Sequence, residues 1–227
     1  MRVYIGYDKR EHEAARVARK TLMETSNVEP EFLERDALIA RGLLHRPTDY
    51  RGSGTYDLIS NAACSTDFSI SRFLVPILCQ SGFALFTDCD VVFLRDVRKL
   101  FDLADPQYAV QVVKHNYVPT SDTKMDNQPQ AKYSRKGWSS VILWNCDHPA
   151  NQRLSLHDIN SRPGLYLHQF KWLHDNEIGD LPSRWNWLIG EQPKPQSPAI
   201  AHMTLGGPWL EGWEPHEHDE IWLNAAK

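Results

Sequence analysis

The sequence predicts one α/β domain over residues 1–227, a doubly wound sheet of mixed strands flanked by helices, and three observations carry that expectation. The chain opens strand, tight turn, helix, the first unit of a doubly wound sheet. A short apolar run, Phe83–Phe86, stops at an aspartate pair, Asp88 and Asp90, at the carboxyl end of a strand where open α/β sheets place their ligands. A further apolar run, SSVILWN at 139–145, reads as a buried strand.

Taken in order, Arg2–Tyr7 alternates around Val3 and Ile5 and forms the first strand. DKREHEAARVARKTLME follows with Ala14, Val17, Ala18 and Leu22 at helical spacing. PEFLERDALI holds a second strand, and the glycines, proline and polar residues of 41–55 read as a mobile loop. In STDFSISRFLVPILCQSG, Ser65 or Thr66 caps a helix with Ile70, Phe73, Leu74, Ile77 and Leu78 on one face. Pro76 kinks that helix and Gly82 ends it. QYAVQVV is a strand, and the polar, cation-bearing stretch 116–136 is a loop, either a lid or a solvated surface. Residues 156–175 are helical in part, PKPQSP is a stiff loop, and AIAHM is a short strand.

Composition narrows the function. With 25 Lys and Arg against 29 Asp and Glu, the net charge of -4 argues against a general nucleic-acid binder. Cys64, Cys79, Cys89 and Cys146 form no C-x-x-C pair, so neither a zinc knuckle nor a disulfide framework is signalled. MRVYIGYDKR lacks an apolar leader core, and no apolar run is long enough to span a bilayer. The expectation is a cytoplasmic protein with reduced thiols, touching membranes only peripherally.

Chemistry centres on FALFTDCDVVFLRD. In an extended chain Asp88 and Asp90 project to one side while Cys89 faces away. Two carboxylates that close repel, so one is protonated or both share a cation, unless the turn is simply solvated. Mg²⁺ suits carboxylates plus substrate phosphates, and Mn²⁺ takes an added imidazole more readily. The imidazole candidates are His202, at the end of AIAHM, and the alternating His216 and His218 of EPHEHDE, whose Glu and Pro neighbours mark a solvated tail. Six of the eight tryptophans lie from Trp172 onward; most read as core, with Trp209 and Trp213 beside glycines as sugar-acceptor contacts.

VYIGYD, SRFLVPIL, LFTDCDVVFL, SSVILWN, LPSRWN and IAHMTLGGPW occur in that order along nearly the whole chain. Together they resemble the family 8-type glycosyltransferases of the GT-A fold, relatives of glycogenin and of bacterial lipopolysaccharide glycosyltransferases. The resemblance implies a retaining transfer of a hexose from a UDP-sugar to a saccharide or other glycoconjugate hydroxyl. It implies that Asp88, Asp90 and His202 ligate Mn²⁺ or Mg²⁺, and that Asp8 contacts uracil with Tyr7 beside it. Arg72 matches an arginine that reaches the donor, and Gln169 a polar residue under the donor sugar. Asp90, Gln169 and Arg72 thereby take catalytic roles, while Cys89 and Gly206 join the donor contacts. Two departures stand out: Gly207 replaces a lysine before Pro208-Trp209, and Trp138-Ser139 replaces an asparagine before the SSVILWN strand.

Two rival functions remain at this level. A haloacid-dehalogenase-type phosphatase also uses D-x-D, but on its first strand, and needs a later acidic pair for which Glu177 and Asp180 are the candidates. The other is a catalytically weak sugar-binding module of the same fold.

Overall fold

The computed structural model describes residues 1–51, 54–116 and 134–227, with the backbone of 123–124 and 128–129. β1 (Arg2–Tyr7) leads through a 3-10 turn at Lys9–Glu11 into α1 (His12–Ser26), whose Ala14, Val17, Ala18 and Leu22 are buried. α1 stops at Asn27, in the left-handed conformation with φ 52°, its N–H bonded to the Met23 carbonyl. β2 (Glu31–Glu34) runs straight into α2 (Arg35–Ala40). Next come β3 (Thr48–Arg51), β4 (Gly54–Asp57) and β5 (Ala62–Ala63). A 3-10 turn at Ser71–Leu74 opens α3 (Val75–Cys79), followed by β6 (Phe83–Thr87) and β7 (Val91–Phe93). Then follow α4 (Arg98–Phe101), β8 (Val110–Val112) and the short pair β9 (Thr123–Lys124) and β10 (Gln128–Pro129). β11 (Val141–Asn145), α5 (Leu156–Ser161) and α6 (Gly164–His168) precede β12 (Ile178–Asp180). β13 (Trp187–Leu188), β14 (Ile200–His202) and α7 (Asp219–Ala226) complete the chain.

The main sheet has the order β12-β8-β11-β6-β1-β2. β1 is parallel to β2 and β6, whereas β11 runs antiparallel to both β6 and β8. All five residues of β11 are buried, as its unbroken apolar run requires. A second sheet, β13-β14-β7, packs Val92, Trp187, Ala201 and Met203 against Val17 of α1 and Trp222 of α7. The main core centres on Phe73, whose ring meets Trp144, Phe170 and Trp172 edge to face. Among the described residues no helix is long and apolar enough to cross a membrane.

Three expectations change. The long helix over 65–82 is a turn followed by a short helix, because Ser69 and Thr66 bond each other's side chain and backbone and hold the chain out of helix. Pro76 therefore sits in the first turn of α3, where its missing N–H is harmless, and kinks nothing. The loop expected over 41–55 contains β3 and the start of β4, which with β5 make a third sheet. Arg46 ties that sheet to α5: it pairs with Asp57 and donates to the carbonyls of Ile159 (2.7 Å) and Arg162 (2.8 Å). The lid-or-surface stretch falls mostly outside the described residues.

Candidate active site

The aspartate turn joins two sheets. β6 ends at Thr87 in the main sheet and β7 begins at Val91 in the second, so residues 88–90 cross at the carboxyl edge of β6. Both sides are pinned by backbone: Asp88 N–H donates to the Ser140 carbonyl (2.9 Å), and Met203 N–H to the Asp90 carbonyl (2.8 Å). The second bond follows from β14 pairing antiparallel with β7, which sets His202 opposite Val91. A histidine distant in sequence thereby meets the pair.

One ligand atom from each of Asp88, Asp90 and His202 lies within 4.8 Å of the other two. His202 Nε2 is 3.1 Å from Asp90 Oδ1 and 4.0 Å from Asp88 Oδ2. Its other nitrogen, Nδ1, is 2.9 Å from Asn186 Oδ1. An amide oxygen accepts, so Nδ1 carries a proton and Nε2 is the nitrogen that faces the carboxylates. Asn186 is held in turn by its amide donating to Ser140 Oγ (2.9 Å). Two carboxylates and an imidazole aimed at one point fit a divalent cation, Mn²⁺ more readily than Mg²⁺ by the nitrogen.

Arg72 reaches the cluster from beneath. Its Nη1 lies 2.9 Å from Asp88 Oδ1 and donates to the Ser139 carbonyl (2.8 Å). The guanidinium sits over the Phe68 and Phe86 rings, 5.3 and 5.1 Å from their centroids, so an apolar seat fixes its direction. His115, beyond the end of β8, is held neutral: burial, then the neighbouring His202, push its pKa down to about 4.

Several expected contacts fall elsewhere. Cys89 is fully buried on the opposite side of the turn, donating to Glu11 Oε2 (3.3 Å), so its side chain is no donor contact. Burial, then Glu11, hold its thiol well above the ordinary cysteine range. Asp8 is also fully buried and caps the 3-10 turn: its oxygens accept from the Arg10 backbone and guanidinium and from Asp67 N–H (3.0 Å). Burial alone would raise its pKa, but these hydrogen bonds outweigh burial and hold it below the ordinary carboxylate range. An open uracil acceptor at Asp8 is thus not what the fold presents. Tyr7 turns its hydroxyl to His12 Nδ1 (3.0 Å). Gln169 donates to Ser134 Oγ (3.1 Å), while its neighbour His168 reaches the site's edge at Ser139 Oγ (2.8 Å). At Gly207 a Cβ would come within 2.2 Å of the Trp209 ring, so a lysine there would have to displace that ring. Gly206, in the same turn, packs under Leu210 and Trp213.

Asn186, Ser140 and His168 were not singled out from sequence. Asn186 closes the LPSRWN motif, but its role depends on β13 lying beside β14. Glu177 and Asp180, the acidic pair a phosphatase would need, lie at β12, separated from β6 by β8 and β11. There they pair with Arg153 and Lys114.

No family model matches the chain. The Arabidopsis thaliana protein named Protein CDI is 39% identical over 232 residues, an alignment covering all of this chain and 86% of that one. Among solved structures, the apo-form glycosyltransferase GlyE of Streptococcus pneumoniae superposes with TM-score 0.60 at 13% identity over 99% of this chain. This chain spans only 60% of GlyE's length. The galactosyltransferase LgtC, in complex with donor and acceptor sugar analogs, gives 0.56 at 11% identity, covering 100% of this chain and 95% of LgtC. Mouse xyloside xylosyltransferase 1 gives 0.51 at 13% identity, covering 91% and 99% respectively. At such identities the likeness is one of architecture: the chain has the GT-A fold.

Proposed function

We propose that this chain, which belongs to the family of Protein CDI of Arabidopsis thaliana, is a metal-dependent glycosyltransferase. On this reading residues 1–227 form one catalytic domain that moves a hexose from a nucleotide sugar to a saccharide or glycoconjugate hydroxyl. The observation that carries it is the convergence of Asp88, Asp90 and His202 at the carboxyl edge of β6. The free thiols fit a reducing cytoplasm.

When bound, a divalent cation supplies Lewis-acid stabilisation of the charge that builds on the leaving diphosphate. The protein's own part is orientation. Asn186 fixes the His202 tautomer, Ser140 fixes Asn186, and Arg72 holds Asp88 in place. Retention of configuration, as in the family 8 transferases, follows from attack on the face the diphosphate leaves. The acceptor hydroxyl oxygen bonds to the anomeric carbon as the bond to the phosphate oxygen breaks, and that oxygen takes the hydroxyl proton.

A cation site completed by phosphate oxygens binds its two ligands cooperatively. Mn²⁺ and UDP together are therefore expected to raise the melting temperature by more than the sum of their separate effects. A ligand confined to the native state adds about 2.7 kcal/mol at a hundred times its Kd. Thermal shifts no larger with both than with the better single ligand count against a shared site. Hydrolysis of a UDP-hexose with and without Mn²⁺ then separates a working transferase from a binding module.

Uridine as the base rests on the family 8 resemblance around VYIGYD, since the Asp8 carboxylate is committed to Arg10. UDP is expected to compete better than CDP or GDP for the donor site at fixed Mn²⁺. Equal inhibition, or a GDP preference, would remove uridine and leave the cation site standing.

A further inference from the structure

Much of the cation site rests on one short turn. Gly137, at φ 78°, lets the chain fold tightly into the 3-10 turn Trp138–Ser140 that leads into β11. Three bonds run from this turn to the site. The Ser139 carbonyl accepts from Arg72 Nη1 (2.8 Å), the Ser140 carbonyl from Asp88 N–H (2.9 Å), and Ser140 Oγ from the Asn186 amide (2.9 Å). Asp88 and His202, two of the three proposed ligands, thus take their places from it, His202 by way of Asn186. A site of this kind must hold its groups within about 0.5 Å of the working geometry, so both ligands feel any shift of the turn.

Two side chains tie the turn to the rest of the fold. Trp138 Nε1 donates to the His115 carbonyl beyond β8 (3.1 Å), and Ser139 Oγ lies 2.8 Å from His168 Nδ1. His168, the last residue of α6, also stands edge-on to the buried Phe73 ring, with centroids 5.2 Å apart at 82°. Phe73 follows Arg72 in the chain. One imidazole therefore meets Arg72 from two directions: through Ser139, whose carbonyl takes the guanidinium, and through Phe73, which shares its backbone. Ser139 belongs to one of the chain's departures from the family 8 pattern, so the resemblance does not supply this arrangement.

We propose that His168 is a positioning residue for the cation. It holds the Trp138–Ser140 turn and Arg72, and through them Asp88 and His202. The proposal rests on the cation site of the reading above and not on sugar transfer.

The test is Mn²⁺ affinity of the full chain with UDP present, read by electron paramagnetic resonance, with melting curves taken without metal. His168→Ala is expected to weaken Mn²⁺ about tenfold, the low end of what loss of a ligand's orienting partner costs. Ser139→Ala removes only the hydroxyl and leaves the carbonyl for Arg72. It should weaken Mn²⁺ to a similar degree, and the double variant no more than the stronger single, because the two residues act as one unit. His168→Asn keeps a polar atom where Nδ1 stood and should restore most of the affinity. A lower melting temperature with unchanged Mn²⁺ affinity makes His168 merely structural and overturns the proposal. Additive losses in the double variant, or no rescue by asparagine, overturn it as well. So does a His168→Ala defect confined to donor hydrolysis, since the ring would then act on the substrate directly. If His168→Ala does not fold, an unchanged Mn²⁺ affinity in Ser139→Ala overturns the proposal by itself. The expected losses without UDP-hexose hydrolysis by the unaltered protein sink the transferase reading and leave His168 in its role. No Mn²⁺ binding by the unaltered protein sinks both.

Discussion

Replacing Asp57 by alanine is expected to destabilise the protein by about 3–5 kcal/mol, the cost of leaving a buried charge without its partner. Asp57 and Arg46 are each 2% exposed at the side chain, and the guanidinium also serves the carbonyls of Ile159 and Arg162. Asp57 further accepts from Ser60 N–H (3.0 Å), and Ser60 Oγ accepts from Gly164 N–H (2.7 Å). One carboxylate thus links the third sheet to α5 and α6. Burial alone would raise its pKa; the hydrogen bonds from Arg46 and Ser60 outweigh it, and the net shift is downward. A carboxylate with a depressed folded pKa contributes stability above its unfolded value, and that stability is lost as pH falls through the folded value. The gap between wild type and Asp57→Ala should therefore be full at neutral pH and shrink below about pH 4. Urea unfolding at several pH values measures it. A gap that stays constant down to strong acid rules out the ion pair as the cause. The double replacement Arg46→Met with Asp57→Leu should recover only part of the loss: it leaves no orphaned charge, but it strips the Ile159 and Arg162 carbonyls and Ser60 N–H of their partners.

Local pattern made part of this fold legible. β1, α1, β6 and β11 follow from alternation, helical spacing and unbroken apolar runs, each complete within a short window. The second sheet was not legible as a sheet, because β7 and β14 pair across about half the chain and the aspartate turn hides a change of sheet. The third sheet escaped because TDYR and GTYD carry little apolar alternation; Arg46 and Asp57 hold it in place of a greasy face.

The site divides the same way. Asp88 and Asp90 follow from two-residue periodicity, and the opposite direction of Cys89 follows from the same rule. His202 required the resemblance, and its partner Asn186 required the structure. Asp8 shows where pattern stops: a strand-end carboxylate looks free until the residue two places on is seen to wrap it. Gln169 and His168 differ by one position, and side-chain direction alone decides which touches Ser139.

Asp90→Asn is expected to reduce metal-dependent donor hydrolysis by on the order of a hundred- to a thousand-fold, the scale of losing one preorganised electrostatic contact to the developing charge. The substitution keeps the shape of the side chain and removes its charge. Asp90 is 8% exposed, and its backbone carbonyl, which the change does not touch, anchors β14 through Met203. Folding without metal should therefore change little, while the Mn²⁺-induced rise in melting temperature disappears. Asn186→Ala supplies the graded comparison. It leaves all three proposed ligands but frees the His202 ring to rotate and change tautomer, so apparent Mn²⁺ affinity should fall about 10–100-fold, as loss of an orienting partner does. Excess Mn²⁺ should restore turnover in Asn186→Ala but not in Asp90→Asn, because one variant has a loosened ligand and the other has lost an anionic one. Hydrolysis rates across a Mn²⁺ titration, with melting curves alongside, read both effects. If Asp90→Asn hydrolyses donor at the wild-type rate, the cation is held elsewhere. If Asn186→Ala matches Asp90→Asn at saturating Mn²⁺, Asn186 acts on the substrate directly and not through His202.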